Sequence, residues 1–423
     1  MSSISAIAAV VPCVNAAAGT AAVVAPYDGD GPYPQAFTRH AWRTMAVLPE
    51  PRRRPLAYQA VAAPAGYTET IVHRQLRQTV KALRAMGVSV VVAGSATGIE
   101  LAERIAWHLG LPGADPASSP LRYDRGVQAD ILAHAGIPAV RGIRTTSLAE
   151  AVAWTQALPL PGYLLGPSVT GSPIEPMACT TELQISAAWP AMRRAAAGYT
   201  GSAYLVLTEQ HSPRQYTLNS ATRPGPDGRP EHTITDIWAE SFTSAGQWDR
   251  ADLLMRDGLL TRTLSQHARR ALDVLGVQCG PASTRLAYGV DDGAGDGPLV
   301  VSVLAAPVVT PADDALLAAT GRDRIADVLD AWIPSRAGLG PAPGGQHVVR
   351  VRLSHCAAIA SWPERIRVLR ALPTVVALSE HHIPSTSLGA EVVLSSTNPR
   401  AIEEDYRTVR ALDQQDLNGP DQP

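Results

Sequence analysis

Residues 280–307, GPASTRLAYGVDDGAGDGPLVVSVLAAP, constrain the fold more than any other stretch. Two apolar runs flank a segment rich in Gly and Asp. Asp-Gly pairs between such runs are a strong hairpin signal. The spacing predicts one strand over residues 283–288 and a second over 298–304.

The rest of the chain supplies ample material around that hairpin. Its 423 residues are enough for two or three domains with large cores. Hydrophobic residues make up 46% and the net charge is −2, the balance of a soluble globular protein. The longest basic run is Arg52-Arg53-Arg54, too short for a nucleic-acid surface. Of the 36 Lys and Arg residues only Lys81 is a lysine. Cys13, Cys179, Cys279 and Cys356 are far apart and form no CxxC or metal-ligand spacing, so reduced thiols in a cytoplasmic protein are expected. The apolar N-terminus has no basic segment and is interrupted by Pro12, Cys13 and Asn15, which argues against a signal peptide. No apolar run reaches the ~18–20 residues of a membrane span.

Strands and helices alternate from the start, which predicts an open α/β domain. Residues 21–25, 45–48 and 88–93 read as strands, and 67–86 as one helix with Ile71, Leu76, Val80 and Leu83 on its face. The DGDG at 28–31 reads as a tight turn, because two acids beside the glycines would repel phosphate. Residues 128–136 continue a helix. Strands follow at 159–167 and 204–209, and a hairpin turn and strand at 226–238. A helix is expected at 255–275, with Leu259, Thr263, His267, Ala271 and Leu275 at helical spacing. Beyond the hairpin, 311–333 reads as helix, 337–345 as a Gly/Pro-rich joint, and 347–353 as a half-buried strand. A helix at 362–371, strands at 375–378 and 390–394, and a helix at 398–415 complete an α+β tail.

Several phrases together resemble the ATP-grasp enzymes, especially the ligases that join amino acids. The hairpin matches GPAHTE and GPVLVEVGAR in Gly280, Pro281, Ala282, Thr284, Gly297, Pro298, Val301, Val303 and Ala305. Residues 94–125, GSATGIELAERIAWHLGLPGADPASSPLRYDR, match GSESGVELADRL and LGLPGNDP followed by a lysine. Residues 226–238 and 271–282 fit DGRHVVTDIW and ALDALGIRFGPA. The resemblance implies a Rossmann-like pre-domain over 1–117, an ATP-grasp domain over 118–310 and a C-terminal α+β domain over 311–423. It also implies ATP and magnesium, held at identifiable positions. The two magnesium carboxylates fall on Arg285 and Ser302, the substrate arginine on Ala306, and the two nucleotide lysines on Arg125 and Gly166. The phosphate-covering loop leaves Thr170, Gly171 and Ser172, then Pro173, which lacks the N–H such loops aim at phosphate. Glu209 stands at the hinge that cradles adenine.

The frame is kept while the charged positions change, and three functional expectations follow. The first is a non-catalytic descendant that binds a small amino-acid-like ligand, or a partner such as an active ligase paralogue or a second copy, in natural-product biosynthesis. It needs no resident cofactor. The second is an active ATP-dependent carboxylate–amine ligase in which Arg125 and Arg285 grip the phosphates directly. Magnesium would then take a carboxylate from Asp291, Asp292 or Asp296. The third is a new activity without ATP, for which Cys279 is the nearest thiol. His381-His382 and His355-Cys356 are adjacent pairs that point to opposite faces of a strand, a poor metal set. No GxSxG, HExxH or GK[ST] motif occurs.

Overall fold

Val- and Ala-rich runs with no polar alternation form strands buried on both faces, the habit of a parallel sheet. In the computed structural model these are β1 (Gly19–Val24), β2 (Trp42–Pro49), β3 (Glu69–His73) and β4 (Val88–Ala93), ordered β3-β2-β1-β4 and all parallel. Helices α1 (Tyr33–Arg39), α2 (Leu76–Ala85) and α3 (Ile99–Leu109) connect and cover them. The structure describes residues 18–27, 33–59, 65–172, 174–210, 214–242, 248–255, 258–289, 297–307, 312–321, 323–330, 332–333, 345–353, 362–383 and 387–414. The 28–31 turn, Asp291, Asp292, Asp296, Cys13, Pro173, and His355-Cys356 lie outside them, as does most of the 337–345 joint.

The single helix expected over 67–86 is two elements. Glu69–His73 is a β-branched run that pairs with β2, and only then does α2 begin. Because β1 has β2 on one side and β4 on the other, the chain reverses direction across the sheet there. A crevice opens at such a switch point beyond the carboxyl ends of the strands. Gly94 begins the turn after β4. A Cβ on it would lie 2.8 Å from the Pro26 Cα just beyond β1, so the two strand ends approach closely.

A second layer follows a 3-10 turn at Pro116–Arg122. It comprises α4 (Arg125–His134), β5 (Gly142–Thr145), α5 (Leu148–Ala157), β6 (Tyr163–Pro167), β7 (Met177–Cys179), α6 (Glu182–Thr200) and β8 (Leu205–Glu209). The strands form an antiparallel sheet, β5-β8-β6-β7, packed on Ile185, Trp189 and Met192 of α6.

The third layer contains β9 (Gln215–Pro224), β10 (Pro230–Phe242), β11 (Trp248–Leu253), α7 (Leu259–Val274), β12 (Gly280–Ala287) and β13 (Leu299–Leu304). It continues with α8 (Asp313–Thr320), α9 (Arg324–Leu329), β14 (His347–Leu353), α10 (Trp362–Ala371), β15 (Val375–Ile383), β16 (Ser387–Ser396) and α11 (Pro399–Gln414). One antiparallel sheet, β13-β12-β9-β10-β11-β14-β16-β15, carries the hairpin at one edge and the strands of the tail at the other. Successive residues of a strand point to opposite faces. Ile237 accordingly meets Leu264, Ala268 and Leu272 of α7, while Trp238 meets Ala315, Leu316 and Ala319 of α8.

Two sequence expectations change here. The apolar stripe of α7 is Leu264, Ala268, Ala271 and Leu272, whereas Leu259 is 75% exposed. The helix expected over 311–333 breaks into α8 and α9. Gly321 adopts φ +67° after α8, and the Asp323 carboxylate caps α9 by accepting from the backbone N–H groups of Ile325 and Ala326. Among the described residues no helix is long and apolar enough to cross a membrane.

Candidate functional site

The first turn of α4 is fastened on three sides. The Asp124 carboxylate caps it, accepting from the N–H groups of Gly126 (3.1 Å) and Val127 (3.3 Å). The same group accepts from Arg144 Nε at 2.8 Å, and the Arg144 guanidinium lies 3.6 Å above the Tyr204 ring. One turn further, Gln128 donates to the Val303 carbonyl (2.6 Å) and accepts from the Val303 N–H (2.9 Å), docking α4 on β13.

Arg125 opens this helix. Its N–H donates to the Ser168 carbonyl at 2.9 Å, and its guanidinium crosses onto β6. A Cβ on Gly166 would collide with Arg125 Nη2, so the absence of a side chain at 166 gives the arginine its room. Arg125 Nε is buried with no hydrogen-bond partner among the described residues. Burial, and next the charge of Arg285, lower its pKa to about 10, against the opposing pull of Asp124.

Arg285 stands on β12 directly across from Ser302 on β13. Its Nε lies 3.5 Å from Oε2 of Glu240, a residue of β10 whose side chain is only 5% exposed. The other Glu240 oxygen accepts from Thr217 Oγ1 at 2.9 Å. Oε2 is buried without a hydrogen bond. Sequence reasoning missed Glu240. The signal was present, since Asp236, Trp238 and Glu240 share one face by their spacing of two. Asp236 is buried and accepts from Asn219 Nδ2 (2.6 Å), Thr235 Oγ1 (2.7 Å) and Trp238 Nε1 (2.6 Å).

Gly171 and Ser172 lie in a different recess, a cleft of about 270 Å³. They share its wall with Ser95 and Thr97 from the switch-point turn, and with Tyr58 and Tyr199. Tyr58 stacks on Tyr27 with ring centroids 4.5 Å apart, and Tyr199 of α6 meets it edge-on at 6.4 Å. The lining is rich in hydroxyls and, among the described residues, carries no charged side chain. Ala306 is buried with Ile99 and Leu304 in an apolar cluster, so it offers only a methyl group near the position the resemblance gives to an arginine. Beyond Ser172, Glu175 forms an ion pair with Arg352 of β14, tying this loop to the large sheet.

Glu209 is placed elsewhere. Both its oxygens are engaged by Arg141, through the backbone N–H (2.9 Å), Nε (2.8 Å) and Nη2 (2.6 Å), and it is not among the residues lining the cleft. Of the residues singled out in the sequence, the fold brings Arg125 onto Gly166 and Arg285 opposite Ser302. It sets Gly171 and Ser172 in the neighbouring cleft. Among the described residues no group of three His, Cys, Asp or Glu side chains is placed to hold a metal ion.

Comparison with known proteins places this architecture. The structure superposes on the L-amino acid ligase of Bacillus licheniformis with a TM-score of 0.68, over 93% of this chain and 97% of the other, at 12% identity. The ATP complex of carboxyaminoimidazole ribonucleotide synthase from Aspergillus clavatus gives 0.67 over 94% and 98%, at 12% identity. The biotin carboxylase domain of the Hydrogenobacter thermophilus 2-oxoglutarate carboxylase gives 0.61 over 92% and 89%, at 14% identity. The chain has the ATP-grasp fold, with the mixed α/β and α+β layers expected of it. Within that class its architecture resembles that of the amino-acid ligases. No protein-family model and no curated protein sequence matches it.

Proposed function

We propose that this protein uses the ATP-grasp scaffold as a non-catalytic binder of a small amino-acid-like ligand and does not run magnesium-dependent ligation. One observation carries the reading. Arg285 faces Ser302, with its guanidinium beside Glu240, on the two strands where the resemblance puts the magnesium carboxylates. Magnesium seeks one or two carboxylates together with phosphate oxygens. A fixed guanidinium ~4 Å from a divalent ion, at an effective dielectric of ~20, costs roughly 8 kcal/mol before relaxation. Glu240 is a single carboxylate already bonded to Thr217. Among the described residues the donor set does not fit the metal.

The cleft at the switch point supports the ligand half of the proposal. Its hydroxyls offer hydrogen bonds to a polar head, and the faces of Tyr58 and Tyr199 suit an ammonium or an apolar side chain. A partner, either a second copy or an active ligase in a natural-product pathway, would reach the ligand through this protein's surface rather than its chemistry. The test is titration calorimetry with magnesium and ATP, alongside ADP release in the presence of all twenty amino acids. We expect no saturable heat and no ADP, with a thermal shift from one or more of the amino acids. Saturable magnesium-ATP binding with amino-acid-dependent ADP formation would overturn the proposal in favour of an active ligase.

A further inference from the structure

We infer that Leu304 is a specificity-determining residue of the switch-point cleft. It walls off the inner end, so that the cleft takes an amino acid whose side chain is short, apolar and uncharged. This rests on the binding role proposed above and narrows it to a ligand class.

Leu304 stands where the motif GPVLVEVGAR, matched to β13, has glycine. It shares a strand face with Ser302, two residues earlier, and it lines the cleft. A Cβ on Gly171 would lie 2.8 Å from Leu304 Cδ2 and 3.6 Å from the Ala96 Cβ. The loop after β6, the end of β13 and the switch-point turn therefore meet at this one side chain. The cleft ends there, and neither Ser302 nor Arg285 lines it.

The wall is firmly held. The residues on either side of Leu304 are bonded to the 3-10 turn and α4. Val303 uses both its backbone groups on Gln128, and the Ala305 N–H donates to the Arg122 carbonyl at 2.9 Å. On the loop side, Thr170 donates to the Tyr123 carbonyl from its backbone N–H (2.7 Å) and from Oγ1 (2.9 Å). A boundary fixed by backbone hydrogen bonds in a close-packed interior yields little to a longer ligand.

The cleft changes character from floor to rim. Val169 and Leu304 are buried, whereas Tyr58, Ser95, Thr97 and Tyr199 are half-buried. The inner end is thus apolar, and the outer end offers hydroxyls and ring faces. None of the described lining side chains is charged, so an ionised ligand side chain would be buried unpaired, at high cost. An amino acid therefore enters with an apolar side chain toward Leu304 and leaves its charged head at the rim, where hydroxyls, ring faces and solvent receive it.

The experiment uses the full chain, titrated in a calorimeter with glycine, alanine, valine, leucine, phenylalanine, tryptophan, glutamate and lysine in turn. In the wild type, affinity should rise from glycine to leucine, roughly fourfold per buried methylene, and rise no further for phenylalanine and tryptophan. Glutamate and lysine should bind at least about tenfold more weakly than leucine. Leu304→Ala opens apolar space continuous with the cleft, so phenylalanine should gain about tenfold or more relative to valine. Leu304→Val should fall between, and it keeps the comparison available where the larger truncation does not fold. A changed order among ligands is a readout that loss of packing by itself does not give. The wild-type order retained in the folded variants would overturn the assignment. So would tryptophan, glutamate or lysine binding the wild type more tightly than leucine. Binding by none of the eight would instead sink the binding role itself, and this inference with it.

Discussion

Replacing Arg122 by Met should weaken the junction between the first sheet and the large one. The Arg122 side chain is 2% exposed and pairs with Glu103 of α3, itself 11% exposed. Its Nε and Nη2 both donate to that carboxylate, the latter at 2.7 Å, and Ser119 Oγ donates there too. The guanidinium also donates to the carbonyls of Asp115 (2.6 Å) and Leu275 (3.3 Å), the second just past α7. Methionine keeps much of the stem volume, so the loss is polar. It strands the Glu103 carboxylate and two carbonyls away from water. Breaking a buried pair on one side costs about 3–5 kcal/mol, while replacing both partners by apolar residues is often neutral. Urea unfolding followed by tryptophan fluorescence and far-UV circular dichroism gives the measure. At ~2 kcal/mol per molar urea, Arg122→Met should lower the first transition by about 2 M, and the two probes should cease to coincide. Adding Glu103→Met should recover most of that shift. A midpoint within about 0.5 M of the wild type, or a double variant no better than the single, would refute the assignment of a brace.

Other outcomes follow from the same geometry. Burial pushes the Cys279 thiol up to about 12, against a smaller opposing pull from the neighbouring Trp332 indole, so iodoacetamide at about pH 8 should label it only after unfolding. Labelling of the native protein at the rate of a free thiol would contradict this. Burial lowers the pKa of His267 below its unfolded value of about 6.5, aided by the charge of Arg270 and opposed by a bond to the Pro138 backbone. The neutral ring's stabilisation is then complete above pH ~6.5 and is lost as pH falls through the folded value. His267→Gln should flatten part of the acid-side decline in denaturation midpoint, and a superimposable profile would count against it. Glu175→Gln releases the loop after Ser172 from Arg352. Amide exchange over 172–179 should quicken while global stability stays within about 1 kcal/mol, the range for a partly exposed pair. Unchanged exchange would mean that the pair restrains nothing.

The hairpin was legible because its signals are local: a Gly/Asp turn, two apolar runs, and a register that sets Arg285 against Ser302. The buried parallel strands were legible for the same reason. β3 was not, since its five residues run straight into the apolar spacing of α2, and only pairing with β2 separates the two. The break between α8 and α9 hid behind Gly321, whose φ is set by the packed chain. In the site, residue types could be read but their neighbours could not. The engagement of Glu209 by Arg141 spans 68 positions, and the acid beside Arg285 comes from a strand two places away in the sheet. Such contacts arise from topology, which no window of sequence contains.

The crowding of Arg125 against Gly166 couples the two positions. A side chain placed on β6 at 166 would meet Nη2, the far end of a flexible chain, so the helix residue must turn aside before the strand can carry anything larger. A redesign of β6 at 166 is therefore also a redesign of where the Arg125 charge sits.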